Sequence, residues 1–195
     1  MCIIVVKPSG EEIPDNITLE RCFMNNPDGA GIMFREGNKV HIEKGFMTPR
    51  DLIDTLEWME EDIGLTGRDV VFHFRLATHG EKSPGCTHPF PISKNIEDLT
   101  ALSINTRAGI AHNGILYQYA PGKGSRISDT MVFVRDMAYN GIDEKTHYMM
   151  KNGRGQKFCL LTVDHLFIYG DFLYEEGLYF SNNSYSYPMC LMSKL

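Results

Sequence analysis

Three features of the sequence predict an α+β fold built mainly of antiparallel sheets. Short β-rich runs are spread along the chain, a few helical segments fall between them, and neither a repeat nor a linker divides the 195 residues. That alternation fits runs of strands covered by occasional helices. At roughly 150 residues per domain the length predicts a single domain over 1–195. Such a domain buries roughly 70% of its apolar surface, so it needs neither disulfide nor metal for stability.

The elements follow in order. Met1 to Val6 reads as a short buried strand, ended by Pro8-Ser9-Gly10. Thr18 to Met24 reads as a helix with Leu19, Cys22 and Phe23 inward, and Asn25-Asn26-Pro27-Asp28-Gly29 as a turn. Gly31 to Arg35 and Lys39 to Glu43 form a hairpin about Glu36-Gly37-Asn38. The clearest helix runs from Pro49 to Asp62. Thr48 caps it, Pro49 takes its first position, Leu52, Ile53, Leu56, Met59 and Ile63 repeat at helical spacing, and Gly64 stops it.

Val70 to Leu76 is a strand with Val71, His73 and Arg75 on one face and apolar residues on the other. Its polar side is expected to meet something other than core. A Pro-rich loop follows, and then Gly109 to His112 and Ile115 to Tyr119 flank the turn signal Asn113-Gly114. Ser128 or Asp129 opens a helix through Ala138, and Phe158 to Phe180 reads as three short strands.

Composition excludes several classes. Aromatic content of 11% with 23% charged residues is not that of a disordered chain. Apolar runs such as Ile3 to Val6 are too short to span a bilayer, and Lys7, Ser9, Gly10 and Glu11 break the apolar start needed for a signal peptide. The net charge of −6, with Lys and Arg scattered, gives no footprint for nucleic acid. Five cysteines without CxxC spacing suit a reducing compartment. The expectation is a cytoplasmic protein without nucleic-acid or membrane partners.

Four places carry residues suited to chemistry, each with a structural reading beside it. Removal of Met1, expected before so small a residue, would leave Cys2 with a thiol and a free α-amine. Reference pKa values of about 8.5 and about 8 let that amine act as base for the thiol. Otherwise Cys2 is a small apolar residue opening a strand. Arg75, in Arg75-Leu76-Ala77-Thr78-His79-Gly80, offers a planar fork for a carboxylate or a salt bridge at a strand edge. Asn113 and Gly114 make either a hairpin turn or an oxyanion hole of side-chain amide and backbone N–H. Asp129 lies in a helix cap or faces an ammonium group. Cys86, His88, His79 and His73 lack metal-ligand spacing, so no metal site is assigned.

In this order, Cys2, then Asn26 to Ile32 (NPDGAGI), Arg75 to Gly80 (RLATHG), His88-Pro89-Phe90, His112-Asn113-Gly114 and Ser128-Asp129-Thr130 resemble the class II glutamine amidotransferases. These are N-terminal-nucleophile hydrolases. The resemblance implies a four-layer αββα sandwich of two stacked antiparallel sheets. It implies Cys2 as nucleophile on the side-chain amide of L-glutamine, through a γ-glutamyl thioester, with ammonia released. Asn113 and Gly114 would form the oxyanion hole, Arg75 would hold the α-carboxylate with Thr78 and His79 nearby, and Asp129 would hold the α-ammonium. The hydrolytic half-reaction calls for no cofactor. Ile3 stands where the family has Gly, and Asn25-Asn26 precede Pro27-Asp28 without the usual Arg. No acceptor domain is read after Asp129, so either ammonia transfer implies a separate synthase subunit or the protein is a free-standing amidase. A different amide substrate, such as a γ-glutamyl peptide, and a non-catalytic binding subunit are the alternative readings.

Overall fold

A computed structural model describes residues 1–78, 80–122 and 124–186. The strands are β1 (Ile3–Lys7), β2 (Ala30–Glu36), β3 (Lys39–Phe46), β4 (Val70–Phe74), β5 (Phe90–Pro91), β6 (Ser103–Thr106), β7 (Ala108–Asn113), β8 (Lys157–Thr162), β9 (Leu166–Tyr169), β10 (Leu173–Glu175) and β11 (Leu178–Phe180). The helices are α1 (Asn16–Asn25), α2 (Pro49–Ile63), α3 (Ile96–Thr100), α4 (Asp129–Asn140) and α5 (Glu144–Asn152).

Two antiparallel sheets result, one ordered β10-β11-β1-β4-β2-β3-β6 and the other β5-β7-β8-β9. Side chains alternate across a strand, and here both faces of the central strands are covered. From β1, Ile3 and Val5 point outward with Phe72 and Phe74 of β4 onto Leu19, Leu52 and Leu56 of α1 and α2. Ile4 and Val6 point inward with Val71 and Met33 to meet Ala111, Cys159 and Leu161 of the smaller sheet. The far face of that sheet, with Ile110, Phe158 and Leu160, packs on Leu99, Phe133, Val134 and Met150 of α3, α4 and α5. The layers therefore run helix, sheet, sheet, helix, the αββα sandwich that the resemblance implied.

Local signals explain the element ends. Asp15, Thr48, Ser128 and Asp143 each accept a backbone N–H as N-caps of α1, α2, α4 and α5. Gly64 closes α2 at φ 71°, a left-handed conformation that glycine reaches without strain.

Several expectations need correcting. The strand beginning at Val70 ends at Phe74, not Leu76, and its His73 is wholly buried between the sheets. Residues 115–119 form no strand and close no hairpin, because β7 pairs with β8 and β5 instead. The Leu116 N–H goes to the Asp129 carboxylate and the Ile115 carbonyl to Gln156 Nε2, so side chains satisfy this backbone and it turns into a single 3-10 turn at Tyr117–Tyr119. The stretch from Phe158 to Phe180 holds four strands, not three, and is preceded by α5, which the sequence reading missed.

One buried cation joins the large sheet to the loop beneath it. Lys44 of β3 is only 2% exposed. Its ammonium donates to the carbonyls of Gly85 (3.0 Å), Thr87 (3.0 Å) and Leu99 (2.6 Å) and lies 4.2 Å from the centre of the Phe90 ring. Lys44→Met keeps the stem and removes all three donors. Buried carbonyls left unpaired cost roughly 1–3 kcal/mol each before water re-enters, so urea unfolding should register a loss of about 3 kcal/mol or more. A loss below about 0.5 kcal/mol would show that the ammonium does not hold this segment.

Candidate active site

The antiparallel pairing of β1 with β4 sets Ile3 opposite Phe74, which carries Cys2 to the backbone just past the end of β4. The Leu76 N–H donates to Cys2 Sγ at 3.3 Å, and the thiol lies 3.5 Å from the Leu76 carbonyl as donor. Burial pushes the Cys2 thiol above its ordinary pKa, against the pull of the Leu76 N–H, the amino terminus and the Arg75 guanidinium. Cys2 is half-buried and Met1 is 75% exposed.

The turn at Pro27-Asp28-Gly29 holds the segment from Arg75 to Ala77. Arg75 N–H donates to the Gly29 carbonyl (2.8 Å), Asp28 N–H to the Arg75 carbonyl (3.0 Å), and Ala77 N–H to Asp28 Oδ2 (2.8 Å). Lys82 pairs with the other Asp28 oxygen at 2.7 Å. Arg75 itself is 2% exposed and donates from Nη1 to the Glu81 carbonyl at 2.7 Å.

From the smaller sheet come the residues after β7. Gly114 has φ 151°, and a Cβ there would stand 2.1 Å from Gln156 Oε1, so only glycine fits. Asp129, at the start of α4, accepts from Leu116 N–H (2.7 Å) on one oxygen and from Thr130 N–H (2.8 Å) on the other. Each carboxylate oxygen keeps a lone pair for a further donor.

Cys2, Arg75, Thr78, Gly114 and Asp129 line one cavity of about 20 Å³, room for roughly one water molecule. Thr78 is exposed at its rim. Asn113 is buried and is not among the residues lining the cavity, and its side-chain nitrogen lies 3.0 Å from Ser181 Oγ. His79 lies outside the described residues. A larger open cleft of about 960 Å³ lies elsewhere, lined by Glu11, Asp15, Glu175 and Glu176, and holds no cysteine.

Sequence reasoning singled out His73 as polar but did not foresee a buried histidine layer under the cavity. His73 and His88 stack with ring centres 4.1 Å apart, and both His88 and His112 line the cavity. Hydrogen bonding fixes two tautomers. His73 Nε2–H donates to the His112 carbonyl at 3.0 Å, leaving Nδ1 bare. Gln156 Nε2 donates to the Ile115 carbonyl, so Gln156 Oε1 faces His112 and accepts Nε2–H at 2.8 Å. His112 Nδ1 then accepts from the Thr130 hydroxyl at 2.9 Å. Burial pushes His73 down to about 3, His88 well below its ordinary value, and His112 down against the pull of Gln156 and Asp129. Among the described residues no group of three His, Cys, Asp or Glu is placed to hold a metal, and no helix is long and apolar enough to cross a membrane.

These histidines make stability depend on pH. The folded form keeps them neutral, whereas in the unfolded chain they titrate near 6.5. Below that pH the unfolded chain binds protons that the folded one refuses, so stability falls as pH falls, by up to about 1.4 kcal/mol per unit per histidine. The urea midpoint should drop between pH 7 and pH 5, and His88→Gln should make that slope shallower. An equal midpoint at both pH values would contradict neutral burial.

No protein-family model matches the chain, and a search of curated proteins finds no relative. Among solved structures, the fold is similar to that of the glutamine phosphoribosylpyrophosphate amidotransferase from B. subtilis complexed with ADP and GMP, with a TM-score of 0.54 at 19% identity. The match covers 92% of this chain and 41% of that one, so the chain spans well under half of its neighbour's length. The likeness is one of fold: two stacked antiparallel sheets between layers of helices.

Proposed function

We propose that the chain is a class II glutamine amidotransferase domain that hydrolyses the side-chain amide of L-glutamine through Cys2. One observation carries this reading. The thiol residue Cys2, the guanidinium residue Arg75, the carboxylate residue Asp129 and Gly114, from separate segments of the sequence, line a single cavity. The fold shared with an amidotransferase supports it.

Residues fall into roles by their chemistry. Loss of Met1 frees the α-amine of Cys2, which takes the thiol proton. The thiolate sulfur attacks the amide carbon of glutamine, and the carbonyl oxygen becomes an oxyanion. The Gly114 N–H and the Asn113 amide are the donors for it. Collapse breaks the C–N bond, and the proton held on the α-amine leaves with the nitrogen as ammonia. Water then attacks the γ-glutamyl thioester, returns the thiol and releases glutamate.

Arg75 pairs with the α-carboxylate, with Thr78 and His79 beside it, and Asp129 accepts from the α-ammonium. A zwitterion requires such a cation and anion on one pocket wall. The lining residues move apart on binding, since the cavity of about 20 Å³ is far smaller than glutamine. Transfer of the ammonia to an acceptor calls for a site outside this fold, such as one on a separate synthase subunit.

Ammonia release from L-glutamine tests the reading. The mature chain should turn over glutamine, and Cys2→Ala should abolish turnover while glutamine still binds, as read by calorimetry. Full turnover by Cys2→Ala would sink the assignment.

A further inference from the structure

We propose that Ser181 is a positioning residue for the oxyanion hole, orienting the Asn113 amide so that its nitrogen is free for the reacting carbonyl. The proposal deepens the function proposed above and rests on the donor role given there to Asn113. Ser181 follows β11 and is fully buried. Its Oγ lies 2.8 Å from the Ile4 backbone nitrogen and 3.0 Å from the Asn113 side-chain nitrogen. Its own N–H donates to the Ile4 carbonyl at 2.9 Å. The next residue, Asn182, donates from Nδ2 to the Cys2 carbonyl at 2.7 Å. Two consecutive residues thus grip the nucleophile's strand and the Asn113 side chain next to Gly114.

Hydrogen-bond valence decides how the grip works. With the Asn113 nitrogen toward Ser181, the hydroxyl oxygen accepts two N–H groups, and Asn113 Oδ1 is buried with no donor among the described residues. Turning the amide by half a revolution exchanges its oxygen and nitrogen without changing its shape. Ser181 then accepts from Ile4 N–H and donates its own proton to Asn113 Oδ1. Both oxygens are satisfied, and Asn113 Nδ2 is released with its donors free. Ile4 N–H, which can only donate, takes one of the two lone pairs of the serine oxygen, and in this orientation the hydroxyl proton goes to Asn113 Oδ1. A free donor is what a developing oxyanion requires, whereas a bare carbonyl oxygen would repel it.

The test compares two reagents at Cys2 in the purified chain, with adducts mapped by peptide mass. Acyl transfer from p-nitrophenyl acetate forms the S–C bond through an oxyanion and expels p-nitrophenolate. The ester offers neither the α-carboxylate nor the α-ammonium of glutamine. Alkylation by iodoacetamide forms an S–C bond and expels iodide with no oxyanion. Ser181→Ala and Asn113→Ala should each slow ester acylation by roughly tenfold or more, and the double variant no more than the larger single loss. Alkylation should stay within about twofold in all three, as expected where no oxyanion forms. Ser181→Gly serves as a second deletion of the hydroxyl if the alanine variant fails to fold. An unchanged ester rate in Ser181→Ala, losses that multiply in the double variant, or alkylation that falls in step would each overturn the proposal. A wild-type chain that is acylated by the ester yet releases no ammonia from glutamine would count against the glutamine reading and not against this one.

Discussion

The antiparallel ladder between β1 and β4 is the constraint on which the rest of the site depends. Register fixes side chains absolutely in a sheet, since a slip of one residue would exchange the two faces. With Ile3 opposite Phe74, Ile3 and Val5 go to the helix side and Ile4 and Val6 to the sheet side. Both faces are apolar and buried, so the register is set by packing, with Phe72 and Phe74 turned to the helices and the smaller Val71 turned to the other sheet. Cys2 is then delivered to Leu76, and Arg75 to the cavity, by packing that has nothing to do with either residue's chemistry.

The cavity sits where the apolar interior gives way to polar groups at one end of the sandwich. Burial there acts on each group according to its charge. It raises the Cys2 thiol and lowers His73, His88 and His112. The imidazoles are therefore neutral and supply no positive charge beside the thiol, and His73 and His112 serve as hydrogen-bonding parts. His112 shows the use made of this. Its fixed tautomer links Thr130 on α4 to Gln156 before β8, next to Gly114. A proton added to that ring would reverse the bond to Thr130, whose hydroxyl would then accept.

Much of this fold was legible because its signals are local. The caps at Thr48 and Ser128, the stop at Gly64 and the apolar runs of β1 and β4 depend on neighbouring residues alone. Five proposed site residues, Cys2, Arg75, Thr78, Gly114 and Asp129, do line one cavity. The errors fall where distant partners decide. Asn113-Gly114 carries the turn signal of a hairpin, yet Asp129 and Gln156 capture the backbone of residues 115 and 116 and turn the chain away from pairing. Ser181 and Asn182 lie just past Phe180, where the sequence reading stops. Their bonds to Ile4, Cys2 and Asn113 span nearly the whole chain and leave no periodic trace.

The central claim is that Cys2 becomes a terminal nucleophile directed at glutamine. Intact mass of the purified protein, before and after exposure to a diazo-ketone analogue of glutamine, tests it most directly. The account predicts a chain lacking Met1 that gains a single stoichiometric adduct on Cys2. A chain that keeps Met1 and gains no adduct would contradict it.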